Sequence, residues 1–96
     1  MKVSSFDAAD VLDTPEAVEA YLEDAFESED PKMIVYALGV VARAKGIGQV
    51  ADAAGLTRQA LYKALGPEGN PQFATILKAM HALGFRLAAK PRAAWP

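Results

Sequence analysis

Residues 48–65 read GQVADAAGLTRQALYKAL. An apolar-periodic run from Gly48 to Ala54 is followed by Gly55-Leu56-Thr57 and then by a second run, Arg58 to Leu65; neither run is long enough to hold a helix unaided. Two short helices that meet at a tight turn are expected, each depending on packing by the other. A helix-turn-helix needs a small residue where its helices cross, a glycine in the turn, and an apolar residue in the second helix that closes the core. Ala51, Gly55 and Leu61 stand at that spacing, with Val50, Ala54 and Leu56 as the surrounding apolar positions. Thr57 is a favoured cap for the second helix, while Gly48 is expected to cap the first without offering a side-chain acceptor. The competing architecture at this spacing is an ordinary helical hairpin in a bundle.

Upstream, Asp30-Pro31 joins a capping carboxylate to a proline at the first helical position, and Met33, Ile34, Ala37, Leu38, Val41 and Ala42 carry an apolar stripe to Lys45, with Gly46 as the stop. Thr14-Pro15-Glu16 opens another helix in the same way, running to about Ser28 with Val18, Tyr21, Leu22, Ala25 and Phe26 as its stripe. Residues 5–12 (SFDAADVL) suit a two-turn helix. Downstream, residues 66–71 (GPEGNP) are dense in helix breakers and must form a loop, after which Phe73, Ile76, Leu77, Met80 and Leu83 mark a last amphipathic helix closed by Gly84. Residues 85–90 alternate in the manner of a short strand; with no partner in an otherwise helical chain, it either frays or pairs with a second copy across a two-fold axis. The expected fold is all-α: a helix-turn-helix bundle over 31–90, an acidic helical leader over 1–30 packed on it, a short C-terminal strand, and a mobile tail over 91–96.

Composition narrows the function. Ninety-six residues, 52% of them apolar, suit one domain with appendages. The absence of cysteine removes disulfides and thiolate chemistry, and one histidine cannot make a two-histidine zinc site, so no metal and no cofactor is expected. No apolar run is long enough for a membrane span and the amino terminus lacks a signal-peptide layout; the expectation is a soluble, cytoplasmic protein. His81 has no companion that would make it a catalyst, and the carboxylates are strung along a helix face rather than paired, so an enzyme is not expected. Net charge is −2, but residues 1–30 hold ten carboxylates against Lys2 alone while residues 32–92 hold nine basic side chains against Asp52 and Glu68. A basic body attracts phosphate, and an acidic head must turn away from it or toward a basic protein.

If Leu61 and Leu65 face the core, Arg58, Gln59, Tyr62 and Lys63 occupy the free arc of the second helix. Arginine grips guanine and glutamine grips adenine through paired hydrogen bonds, which makes Arg58 and Gln59 candidates for base reading. Tyr62 reaches a base or a phosphate, and Lys63 suits a phosphate, as do Gln49 and Thr57 beside free backbone donors. Asn70 adds a phosphate contact or is plain turn chemistry before Pro71. Glu16, Glu19, Glu23 and Glu27 lie off the leader's stripe and are candidates for facing a protein partner.

The stretch ALGVVARAKGIGQVADAAGLTRQALYKALGPEGNPQFATILKAMHALGFRL resembles the helix-turn-helix proteins known as probable addiction-module antidotes, and FDAADVLDTPEAVEAYLEDAFESEDP resembles their acidic leader. LYKALGPEGNPQFATILKAM is the most specific part. The resemblance implies a lambda-repressor-like, Xre/HigA-like helix-turn-helix domain and an antitoxin that represses its own operon through double-stranded operator DNA. It also implies a small basic RelE-like toxin as partner; a homodimer fits a two-fold operator. Gly48 and Gly66 depart from the threonine or serine, and the serine, often found at those places, which weakens one helix cap and puts a hydroxyl-to-phosphate contact in doubt. The alternative is a free-standing phage-type repressor with no toxin.

Overall fold

A computed structural model describes residues 12–92 as five helices in the order α1 (Pro15–Glu27), α2 (Pro31–Lys45), α3 (Ile47–Ala54), α4 (Arg58–Ala64) and α5 (Phe73–Ala82). The expected helix over 5–12, apart from Leu12, and most of the tail over 91–96 lie outside the described residues; Leu12 itself is not helical and packs against the core. The local start signals act as the sequence predicts. Thr14 Oγ1 accepts the Ala17 N–H at 3.1 Å and Asp30 Oδ1 accepts the Lys32 N–H at 3.0 Å, each followed by proline at the start of its helix. The first helical turn leaves backbone donors unpaired, and these side chains supply the missing acceptors.

The core gathers one face from each helix: Val18, Leu22 and Ala25 from α1; Ala37, Leu38, Val41 and Ala42 from α2; Val50 and Ala51 from α3; Leu61 and Leu65 at α4; Ala79, Met80 and Leu83 at α5. α1 packs on α2, and α3 touches α2, α4 and α5, so the eight-residue α3 sits where most elements meet. Between α2 and α3 the chain bends by 108° at Gly46, whose φ of 108° places it in the glycine-favoured region. Gly46 both closes α2 and precedes α3.

Four expectations need correction. Gly48 does not cap α3: the helix begins one residue earlier, at Ile47, and Gly48 sits inside its first turn. Met33 and Phe73, expected on apolar stripes, are 50% and 67% exposed, because each lies in the first turn of its helix, past the edge of the core. Residues 85–90 form no strand, and among the described residues no strand is present to pair with them. Their alternation has another cause: Phe85 and Leu87 are half-buried against the helical core while Arg86 and Ala88 face outward.

No single helix among the described residues is long and apolar enough to cross a membrane.

Candidate nucleic-acid interface

The turn between α3 and α4 is built from backbone bonds. Gly55 adopts the left-handed conformation (φ 72°, ψ 29°); its N–H donates to Asp52 O at 3.2 Å, and the Leu56 N–H donates to Ala51 O at 2.9 Å. This paired closure satisfies the last carbonyls of α3 and reverses the chain within three residues. Thr57 then starts α4, its Oγ1 accepting the Ala60 N–H at 2.9 Å. With the oxygen occupied as a cap, the Thr57 hydroxyl proton is left to donate outward.

Leu61 is fully buried and Leu65 nearly so, which fixes the rotation of α4. That rotation leaves Arg58, Gln59, Tyr62 and Lys63 exposed, and the four side chains border one shallow hollow. Tyr62 is 63% exposed, unusual for so large a ring in a small bundle. Among the described residues no ion pair ties Arg58 or Lys63 to a carboxylate; the one ion pair there joins Arg92 Nε to Glu29 Oε2 at 3.5 Å, both side chains exposed. The face therefore offers two cations, an amide and a phenol whose hydrogen-bonding groups are directed at solvent.

The other predicted site residues fall elsewhere. Gln49 is exposed in the first turn of α3, a helix start with no side-chain cap, and its side chain folds back toward Gly46. Asn70 is exposed just beyond the turn in which the Gly69 N–H donates to Gly66 O at 2.9 Å. Neither borders the hollow on α4. Glu16, Glu19, Glu23 and Glu27 are all exposed on α1, off the face docked on α2. His81 is exposed near the end of α5. No cluster of three metal-ligating side chains occurs among the described residues.

Sequence reasoning missed a second feature beside this face. A groove of about 520 Å³ runs between α2 and the loop after α4, bordered by Lys32, Tyr36, Gly39 and Arg43 on one side and by Tyr62, Leu65, Gly66 and Gly69 on the other. The signal was available in part: Lys32, Tyr36, Gly39 and Arg43 recur at intervals of four, three and four residues, which sets them on one side of a helix.

Two comparisons bear on identity. A family model described as "Probable addiction module antidote protein" matches residues 2–91. A Haemophilus influenzae protein described only as uncharacterized is 40% identical over 85 residues, covering 88% of this chain and 88% of the relative. No solved structure matches the chain.

Proposed function

Because the chain belongs to the probable addiction module antidote family, we propose that it is an antitoxin that binds operator DNA through α4, represses its own operon and neutralises a small basic RelE-like toxin by direct contact. The observation that carries the DNA-binding part is the α4 face: Leu61 and Leu65 anchor the helix from behind while Arg58, Gln59, Tyr62 and Lys63 stand together in solvent, with no ion pair to a carboxylate among the described residues. In this reading the fold is a lambda-repressor-like, Xre/HigA-like helix-turn-helix. α4 enters the major groove, Arg58 and Gln59 read base edges, and Tyr62 meets a base or a phosphate. Lys63, Gln49, the Thr57 hydroxyl and Asn70 contribute phosphate contacts that position the helix without reading sequence. Four carboxylates on the exposed face of α1 suit a basic toxin, and two copies of the chain would match a two-fold operator. The chain is assigned no catalytic role. A free-standing repressor shares the same α4 face, and the family favours the antitoxin.

Binding of the DNA upstream of the gene tests this, with and without the product of the neighbouring gene. Arg58→Ala is expected to lose about 1–3 kcal/mol and to relax preference at one base position, whereas Lys63→Ala weakens all sequences alike. Half-sites about 34–36 Å apart, or a multiple, are expected for a dimer. Equal, sequence-blind losses from both variants would remove Arg58 from base reading; a monomer on one unrepeated site would remove the two-fold model.

A further inference from the structure

We propose that the groove between α2 and the loop after α4 is a second DNA contact, holding the sugar–phosphate backbone that flanks the bases read by α4, with Lys32 and Arg43 as its phosphate-binding side chains. The proposal rests on the reading of α4 as the DNA-reading helix. Three observations carry it.

The first is charge. The groove lining holds two cations and no carboxylate, although Glu68 lies in the adjoining loop. Lys32 and Arg43 are exposed and neither is ion-paired among the described residues, in a protein whose α1 alone carries five acidic side chains. The end of α4 borders the same groove and contributes a helix C-terminus worth about half a negative charge, which two full positive charges outweigh.

The second is continuity. Tyr62 borders both the hollow on α4 and this groove, so a polyanion crossing the α4 face passes into the groove without leaving the protein surface. Tyr36, 60% exposed, adds a second phenol there, and Val35, Ile47 and Pro67 supply apolar walls suited to a sugar edge.

The third is the role of Gly39. A Cβ on this residue would lie 2.8 Å from the Leu65 carbonyl oxygen and 3.5 Å from Arg43 Nη1. The missing side chain lets α2 approach the end of α4, and it lets the Arg43 guanidinium lie back over bare backbone within the groove instead of extending away from it.

The test compares full-length wild type with the double variant Lys32→Gln/Arg43→Gln, measuring affinity for the upstream duplex and for a scrambled duplex from 50 to 200 mM salt. A second double variant, Lys78→Gln/Lys90→Gln, removes the same charge from exposed positions outside the groove. Each released phosphate contact lowers the salt slope by about 0.9, so the groove variant should lose about 1.8 from its slope and show about twelve-fold less affinity change across that range than wild type. Its preference for the upstream sequence should stay at the wild-type ratio, and the Lys78/Lys90 variant should keep the wild-type slope. Matching thermal melts show that all three proteins are folded. If wild type prefers the upstream duplex and the groove variant keeps its full slope, the groove is not a DNA contact while the α4 reading stands. If wild type shows no such preference, the α4 reading fails and the groove proposal with it. An unchanged slope together with lost capture of the neighbouring gene's product would make the groove a protein interface and overturn the proposal.

Discussion

Gly48 and Gly55 offer the same mutation in the same free space with opposite expected outcomes. A Cβ added to either residue meets no atom within 4 Å, so alanine at neither site clashes with anything. Only the backbone differs. Gly48 sits in the first turn of α3, where alanine gains about 0.5–1 kcal/mol by restricting the unfolded chain and favouring helix. Gly55 sits at φ 72°, where a side chain costs about 1–2 kcal/mol, offset by about 0.4–1 kcal/mol from the same unfolded-state restriction. Gly55→Ala should therefore destabilise by roughly 1 kcal/mol and Gly48→Ala should stabilise by nearly as much. At about 4–8 °C per kcal/mol for a domain of this size, the two melting temperatures should differ by roughly 8–16 °C. Thermal unfolding followed by circular dichroism, with urea titration as a second measure, reads this directly. Shifts of the same sign would refute the placement of the turn at Gly55 and the start of α3 at Ile47 together. Gly55→Val, with a branched side chain at the same φ, should lose more than Gly55→Ala and more than Arg58→Ala.

Three further outcomes follow from burial and backbone geometry. Gly69→Ala would drive its Cβ into the Ala64 carbonyl, so it should cost about 1–3 kcal/mol by forcing the loop away from α4; a neutral urea midpoint would show that the loop does not close against that helix. Leu22→Ala should cost about 2–5 kcal/mol and keep a single unfolding transition, since its side chain shares one core with α2; a separate early transition would mean that α1 folds apart from the body. Glu29 carries φ 56° between α1 and α2, so Glu29→Gly should gain up to about 1 kcal/mol, measured in an Arg92→Ala background to take out the exposed ion pair; a loss there would show that the left-handed turn is not a source of strain.

Helix starts were legible because capping is a local act: Thr14, Asp30 and Thr57 each bond a backbone N–H two or three residues ahead, and the sequence carries both partners within one short window. The α4 face was legible for a similar reason. Once Leu61 and Leu65 are read as buried, helical geometry leaves Arg58, Gln59, Tyr62 and Lys63 outside. What escaped depends on residues far apart in the chain. The groove exists because Gly39 approaches Leu65 across two helices and the turn between them, and no periodicity announces that contact. Phe85 and Leu87 mimic a strand by alternating, yet alternation records only that one side of an extended segment is covered; here helices do the covering. Gly48 reads as the cap of α3 when Gly46 is assigned only to the end of α2; in the structure Gly46 serves both helices, so α3 starts at Ile47.

The docking of α1 on α2 through Val18, Leu22 and Ala25 also gives the molecule an orientation before it touches anything. Because these side chains are buried, the acidic face of α1 cannot swing independently, and its carboxylates keep a set place relative to the cations of α2 and α4. The acids of α1 and the cations of α2 and α4 thus form one fixed charge pattern, which an approaching ion meets instead of the small net charge alone. A polyanion farther away than the screening length of about 8 Å in physiological salt meets a nearly neutral particle. Inside that distance it meets the fixed pattern itself, and under the DNA-binding proposal the repulsion by α1 and the attraction by the cations would favour encounters in a usable orientation. Neutralising the acids of α1 would raise the net charge and the rate of contact while weakening this alignment, so that more collisions would yield a smaller fraction of correctly seated ones.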